Sequence, residues 1–121
     1  MTLVLLPNKQ ENNALGKHYK RAFETAVELY VVSAYLTDWN PPAHLNSGCE
    51  RFRMIIGSDF GITKKHACRS VIKWLPANRK QDFLVADSIQ GFHPKAIFWR
   101  EKNGSHHALV GSSNLTKAAF S

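Results

Sequence analysis

The order in which helical and strand-like patterns follow one another constrains this chain most. Apolar side chains recur at spacings of three and four over 10–28 and again over 63–75, which predicts two amphipathic helices. Strand-length apolar runs lie around these helices, at 2–6, 29–36, 52–56 and 82–86. Strands that alternate with helices are typical of an α/β domain. We therefore expect a mixed β-sheet flanked by helices.

A β-hairpin is predicted towards the end of the chain. Strand-like runs over 92–100 and 107–110 flank an Asn103-Gly104 pair, which is a strong signal for a tight turn. The apolar members of the first run are expected in the core: Ala96, Phe98 and Trp99.

Two other segments carry structural signals. The run 29–36 is apolar on both faces, which predicts a strand that is covered on both sides of the sheet. The proline- and glycine-containing segment 37–50 is predicted to be a loop.

Asn114 is a good helix N-cap, and only about two helical turns follow it, fewer than an average helix has. We therefore expect 1–121 to be one domain truncated at its C-terminus within a longer protein.

Composition excludes several classes of protein. The 121 residues suffice for one domain, and no run approaches the ~18 apolar residues of a membrane span. The only cysteines, Cys49 and Cys68, are too few for a secreted disulfide framework. No basic segment precedes the short apolar start, so it does not resemble a signal peptide. We expect a reduced, cytoplasmic setting without membrane association.

The charge balance indicates an anionic partner. Lysine and arginine number 16 against 9 acidic residues, for a net charge of +7. Such an excess favours polyanions, above all nucleic acid, or an anionic lipid surface. The basic residues are spread along the chain without a tail-like run. A basic domain that is merely kept in solution by its charge is the alternative interpretation.

Two short motifs predict a phosphate site. In His93-Pro94-Lys95 the imidazole and the ammonium share a strand face, about 7 Å apart. Gly111-Ser112-Ser113-Asn114 joins a strand to a helix start, where backbone N–H groups and the helix dipole attract phosphate. Alone, the first motif is typical of a solvated strand face and the second of an ordinary capped turn. The predicted hairpin brings both to one end of the sheet.

These motifs, in this order, resemble the phospholipase D superfamily, whose signature is H-x-K, an acid five residues after the lysine, and then G-S-x-N. The resemblance extends to an early helix before a strand at 30–35 and to the turn Ile55-Ile56-Gly57-Ser58. This layout is closer to the nuclease and restriction-endonuclease branch than to the lipases. The sequence departs from the signature at Arg100, which stands where the acid is expected; Glu101 follows it but should face the other side of the strand.

The resemblance implies a single phospholipase D-like domain over 1–121 that acts as a metal-independent phosphodiesterase without a cofactor. His93 would attack phosphorus and form a phosphohistidine, with Lys95 and Asn114 as the other catalytic residues. Because the chain has one H-x-K unit that is followed by G-S-x-N, the family pattern implies a homodimer in which each protomer contributes His93 to a shared site. The substrate would be nucleic acid, DNA in preference to RNA. The substrate-binding residues would be Lys95, Gly111, Ser112, Ser113 and Asn114.

Other interpretations stay open at this point. One is a non-catalytic nucleic-acid-binding module of a restriction or helicase system, and another is a phospholipid phosphodiesterase. His106 and His107 are adjacent on a strand and should face opposite sides, which argues against a shared metal. Trp39 could stack on a base at the rim of the site, although packing is its expected role. Gly57, Tyr35 and Asp38 are expected near the same rim, because ligands gather at the carboxyl ends of strands.

Overall fold

The computed structural model describes residues 2–6, 12–41, 43–58, 62–86 and 95–111. Two α-helices, α1 (Asn12–Thr25) and α2 (Lys65–Trp74), and a 3-10 helix (Ala77–Asp82) lie among six strands. The strands are β1 (Thr2–Leu6), β2 (Ala26–Ser33), β3 (Arg51–Gly57), β4 (Phe83–Ala86), β5 (Lys95–Glu101) and β6 (His106–Gly111). Neither described α-helix is long and apolar enough to cross a membrane.

The six strands form one mixed sheet in the order β1-β6-β5-β2-β3-β4. β5 is antiparallel to both of its neighbours, and the other pairings are parallel. The expected α/β class with a mixed sheet is therefore confirmed. This topology brings five strand ends and the start of β5 to the same side. We call this side the carboxyl edge; it consists of Leu6, Ser33, Gly57, Ala86, Lys95 and Gly111.

The core lies between the two helices and one face of the sheet. Phe23 of α1 and Val71 of α2 are fully buried in one cluster with Val31, Met54 and Ile97 of the sheet. Burying a side chain of this size contributes about 1.5–3 kcal/mol to the free energy of unfolding. The cluster confirms the helical faces that the apolar spacing predicts. Further buried members on these helices are Tyr19, Ala22, Ala67 and Leu75.

An aromatic group anchors the long segment between β2 and β3 to the helices. Trp74 packs against Phe23 and Trp39 at centroid distances of 5.0 and 5.1 Å. Its indole N–H donates to the Ala43 carbonyl oxygen at 2.9 Å. Trp39 is buried, so its packing role is confirmed and stacking of a base on its ring is ruled out in this conformation. The predicted loop is confirmed, and it is held down by these rings.

The first helix ends earlier than its apolar spacing predicts. The spacing continues to residue 28, yet α1 ends at Thr25 and β2 begins at once. Asn46 explains this change, because its backbone N–H donates to the Phe23 carbonyl and its side-chain amide donates to the Ala26 carbonyl. Those carbonyls no longer need helical partners. Ala26 then pairs with Glu101 of β5, so the strand starts three residues before its predicted start.

The hairpin between β5 and β6 is confirmed. Its Gly104 has φ of +88°, in the left-handed region that glycine adopts without strain. The Asn103 side-chain oxygen accepts hydrogen bonds from the Ser105 backbone N–H at 3.0 Å and from its hydroxyl at 2.7 Å. The 3-10 helix before β4 is an element that the sequence patterns do not predict.

The run 29–36 is predicted to be a strand covered on both sides of the sheet, and for the corresponding strand, β2, this prediction is wrong. Both described α-helices pack on one face, and on the other face Tyr30 is 37 % and Phe98 41 % exposed. Placing Phe98 in the core is therefore also wrong, whereas its neighbour Trp99 is buried as expected. We call this second surface the open face. Strand alternation and register place on it Glu28, Tyr30, Val32, Arg51, Arg53, Ile55, Leu84, Ala96, Phe98 and Arg100.

Candidate functional site

The two predicted phosphate motifs meet the sheet at neighbouring points of the carboxyl edge. Ala96 pairs with Val110, and one further step of this antiparallel register sets Lys95 opposite Gly111. Opposed residues in such a ladder have Cα atoms about 5 Å apart. The chain therefore enters β5 from residue 94 beside the point where it leaves β6 for residue 112. His93, Ser112, Ser113 and Asn114 lie outside the described residues, so their roles remain predictions.

Lys95 stands between two other strand ends. It is half-buried and lies opposite Ser33, the last residue of β2, on its other side. Ser33 is buried, and its hydroxyl donates to the Tyr35 carbonyl oxygen at 2.8 Å. This bond fixes the direction in which the chain leaves β2. A lysine at such a rim can keep its charge close to solvent while its methylene stem packs against protein.

A buried threonine links the two loops beside Lys95. The Thr63 hydroxyl donates to the Gly57 carbonyl oxygen at 3.0 Å and accepts the Leu36 N–H at 3.2 Å. The Lys64 N–H adds a bond to the Leu36 carbonyl at 2.8 Å. The segment after β2 is thereby tied to the end of β3 and to the segment before α2. Sequence reasoning missed this residue, because a threonine at a helix start has the appearance of an ordinary cap.

The residues expected at the rim divide into two groups. Tyr35 and Asp38 are half-buried and follow β2 directly, and buried Gly57 ends β3, so all three lie near the carboxyl edge as expected. Trp39 does not join them, because it lies in the aromatic group of the core. The described part of this rim thus consists of Lys95, Ser33, Tyr35, Asp38 and Gly57.

Arg100 occupies the expected acid position far from the phosphate motifs. Five strand residues separate it from Lys95, about 17 Å along β5. Its guanidinium contacts the Glu28 carboxylate at 3.3 Å on the open face. The Arg100 guanidinium also holds the pKa of Glu28 below its usual value. A residue at this position cannot reach a phosphate bound beside Lys95, so the departure from the signature does not alter the carboxyl edge directly.

Glu101 lies on the opposite strand face from Arg100, as the sequence predicts. Its carboxylate accepts two hydrogen bonds from Arg21, at 2.7 and 3.1 Å, and one from the Trp99 indole at 3.0 Å. The Thr25 hydroxyl donates a further bond at 3.2 Å. The hydrogen bonds from Arg21 do most to lower the pKa of Glu101 to about 2. This carboxylate ties α1 to the hairpin and is remote from Lys95.

His107 belongs to the same cluster but is not arranged as a catalytic relay. Its ring stacks on Trp99 at 4.9 Å, and its Nε2 atom lies 3.1 Å from the Ser105 hydroxyl. The Glu101 carboxylate lies 3.4 Å from that same nitrogen. In a serine-histidine-acid relay the hydroxyl and the acid contact different ring nitrogens. The cluster therefore serves to close the hairpin.

The histidine pair does not form a metal site. His106 is exposed on the open face, whereas His107 is buried on the helix-covered face, as their adjacency predicts. Among the described residues, no three His, Cys, Asp or Glu side chains lie close enough together to bind a metal.

The two thiols have no features of a nucleophile. Cys49 is buried, and its thiol donates to the Arg51 carbonyl oxygen at 3.2 Å. Cys68 is half-buried against the core. Burial raises the pKa of both thiols, which disfavours the reactive thiolate at neutral pH.

Comparison with known proteins finds no match to a family model, to a curated protein or to a solved structure. The resemblance to the phospholipase D superfamily therefore rests on the sequence motifs and stays a prediction.

Proposed function

We propose that this chain is a phospholipase D-like nuclease that hydrolyses phosphodiester bonds of nucleic acid, DNA in preference to RNA, without a metal. The observation that carries the proposal is the register of β5 and β6. It places Lys95 beside Gly111, where the His93 motif enters the sheet and the 111–114 motif leaves it. The last residue of one motif and the first residue of the other thus lie on neighbouring strands at one edge, which supports a shared phosphate site.

The proposed reaction is a double displacement at phosphorus. An imidazole nitrogen of His93 attacks phosphorus, the bond to the leaving oxygen breaks, and a phosphohistidine forms. The leaving oxygen takes a proton from a second histidine, which then accepts a proton from the attacking water. Water breaks the phosphorus–nitrogen bond and restores the imidazole. No oxidant or other co-reactant is needed.

The negative charge on the phosphoryl oxygens determines the roles of the other proposed site residues. Lys95 supplies a cation, and backbone N–H groups after Gly111 with the side chains of Ser112 and Asn114 supply donors. Donors placed in advance where charge develops are worth about 10²–10³ in rate for each one removed. Ser113 would contribute a further backbone N–H.

The second histidine is proposed to come from another copy of the chain. One of the two H-x-K tripeptides in the sequence, His93-Pro94-Lys95, precedes a G-S-x-N turn, whereas the other, His18-Tyr19-Lys20, lies within helix α1. A two-fold axis across the carboxyl edge would set two His93 side chains against one phosphate. The partners of the protein would then be nucleic acid and a second protomer. A dimer joined elsewhere, with carboxyl edges apart, is incompatible with this scheme.

Cleavage in the presence of a chelator tests the proposal. We expect supercoiled plasmid to be cut in EDTA by the wild-type protein and not by His93→Ala. His44→Ala is the matched control, because His44 is exposed and lies two residues before Asn46, which binds the start of β2 at the opposite end of the sheet from the carboxyl edge. Equal cleavage by both variants, or wild-type cleavage that EDTA abolishes, would contradict the proposal.

A non-catalytic nucleic-acid-binding module is the second candidate. The observation that favours it is the open face, where arginines and exposed aromatic rings lie together away from the carboxyl edge. Retention of DNA without cleavage by the wild-type protein and by His93→Ala would support this candidate. Release of headgroups from phospholipid vesicles would instead support a phospholipid phosphodiesterase.

A further inference from the structure

We propose that the open face binds single-stranded nucleic acid by stacking bases on Tyr30 and Phe98. These residues are directly paired in the register of β2 and β5, and they are 37 % and 41 % exposed. Paired side chains on neighbouring strands have Cβ atoms about 5 Å apart. The two rings thus lie on adjacent strands of the same face of the sheet.

Arginines border these rings. Arg53 pairs with Tyr30 in the register of β2 and β3 and is exposed. Arg51 is 73 % exposed and contacts Glu28 at 3.5 Å, and Arg100 contacts the same carboxylate at 3.3 Å. Three guanidinium groups therefore face one carboxylate in the strand interiors. Exposed His106 lies opposite Arg100 on the same face.

Acidic groups at the rim do not reverse this balance. Asp82 lies 3.7 Å from Arg79, which offsets its charge. Glu50 is exposed at the start of β3, beside the depression that contains Arg51 and Arg53. The surface is positive overall and complements a phosphate backbone.

The shape of the face suits separate bases. Tyr30 stands between two shallow depressions of about 340 and 630 Å³. The smaller is bordered by Phe98 and His106, and the larger by Arg51 and Arg53. A ring between two hollows offers a stacking surface, with guanidinium groups within reach of the phosphates.

The residue types on this face favour nucleic acid over a protein partner. A parallel sheet covered by protein has nearly continuous Val, Ile and Leu on each buried face. Here arginines lie beside and on the amino-terminal side of the exposed aromatic rings, and the aliphatic side chains of Val32, Ile55 and Ala96 form a separate row between the rings and the carboxyl edge. Aromatic rings and guanidinium groups are what single strands need for stacking and backbone contact. Bases in a duplex already stack on each other, so the rings select unpaired nucleotides.

The location of the rings connects them with the proposed active edge. Phe98 is three residues from Lys95, and Tyr30 is three residues from Ser33, which is about 10 Å along each strand. A strand bound on the open face would reach Lys95 by passing over the carboxyl edge, because alternation along β5 places Lys95 on the helix-covered face. This connection rests on the proposed function, whereas binding of single strands to the open face does not.

Binding of a labelled oligonucleotide tests the inference separately from cleavage. We would measure fluorescence anisotropy with a 15-nucleotide oligothymidine and with a duplex of equal length, in EDTA and at fixed salt. Tyr30→Leu and Phe98→Leu keep an apolar side chain but remove the ring, and each should raise the single-strand Kd about tenfold. Tyr30→Phe should keep the wild-type Kd. Ile72→Ala, at an exposed apolar position on α2, is the control and should change nothing.

A second variant keeps the test decisive should a leucine variant fold poorly. Arg53→Gln should raise the single-strand Kd and reduce the slope of log Kd against log salt by about one, while Arg69→Gln on α2 should not. Unchanged Kd values in the leucine variants and Arg53→Gln would overturn the inference. So would a Phe98→Glu variant that converts a dimer to a monomer in light scattering, because the face would then be a protein interface. A wild-type protein that binds single strands but does not cleave DNA would instead count against the catalytic edge alone.

Discussion

Ser33, the last residue of β2, lies directly opposite Lys95, the first residue of β5. This pairing occurs because β5 runs against its neighbours, so the start of one strand meets the end of another. On the other side of Lys95, the same reversal brings Gly111 at the end of β6. The antiparallel strand in a largely parallel sheet therefore assembles the candidate site.

Replacing the lysine at this junction should impair catalysis. We expect Lys95→Met to lower kcat for plasmid cleavage about 10²–10³-fold, because it removes a charge that stabilises the phosphoryl oxygens. Lys73→Met, on the exposed side of α2, removes the same charge elsewhere and should leave kcat unchanged. Gel-based cleavage rates at one ionic strength provide the comparison. Equal losses in the two variants would show that only net charge matters.

The threonine that links the loops at the carboxyl edge should matter for stability. Thr63→Val leaves the buried Leu36 N–H and Gly57 carbonyl without their hydroxyl partner. We expect the free energy of unfolding to fall by about 1–3 kcal/mol, as measured by urea denaturation. Thr63→Ser retains the hydroxyl and should lose less than half of this. A valine variant as stable as wild type would show that the link is dispensable.

Stability should depend on pH through Glu101. The pKa of this carboxyl is lowered in the folded protein to about 2, so its ionised form stabilises the fold. The contribution is fully present above the unfolded-state pKa of about 4.5 and is lost as the pH falls towards 2. Because Arg21 is half exposed, we expect about 1–2 kcal/mol at pH 7.

Glu101→Gln should therefore be less stable than wild type at pH 7, and this difference should shrink at pH 3. Glu24→Gln on the exposed side of α1 is the control and should behave as wild type at both values. Thermal unfolding at the two pH values measures the effect. A Glu101→Gln deficit that is the same at both values would contradict the assigned role.

The acid missing from the motif should not limit the rate. Glu28 and Arg100 are paired on neighbouring strands, so the exchange Glu28→Arg with Arg100→Asp keeps an ion pair and places an acid five residues after Lys95. We expect kcat within about twofold of wild type, because position 100 is too far from the bound phosphate. Steady-state cleavage rates test this. A large rise in kcat would show that the acid acts on the site through a route that the strand geometry does not suggest.

The regular elements of the fold were largely predictable, because each side chain pattern matches its element. Spacings of three and four mark α1 and α2, and the Asn103-Gly104 pair marks the hairpin. The end of α1 was not predictable, because Asn46 and Glu101, both distant in sequence, provide the contacts that end the helix and begin β2. The spacing of side chains within a helix does not indicate which distant residues will bind its end.

The exposure of the sheet's second face could not be deduced from strand patterns either. Tyr30 and Phe98 count as apolar in a pattern, yet a ring is equally suited to a buried core or to a ligand-binding surface. At the candidate site, the predicted hairpin correctly placed Lys95 and Gly111 on neighbouring strands at one edge. The Thr63 link was not predictable, because the two partners of its hydroxyl, Leu36 and Gly57, come from two other segments of the chain.

Trapping of the covalent intermediate would show whether His93 is the nucleophile. DNA labelled with ³²P at the cleavage site would be reacted with excess protein for a single turnover, stopped in alkaline denaturant, and the labelled peptide sequenced. We expect the label on the peptide that contains His93. Acid should release this label, and the His93→Asn variant should not acquire it. Efficient cleavage in which the label never joins the protein, or joins it at another residue, would contradict the account.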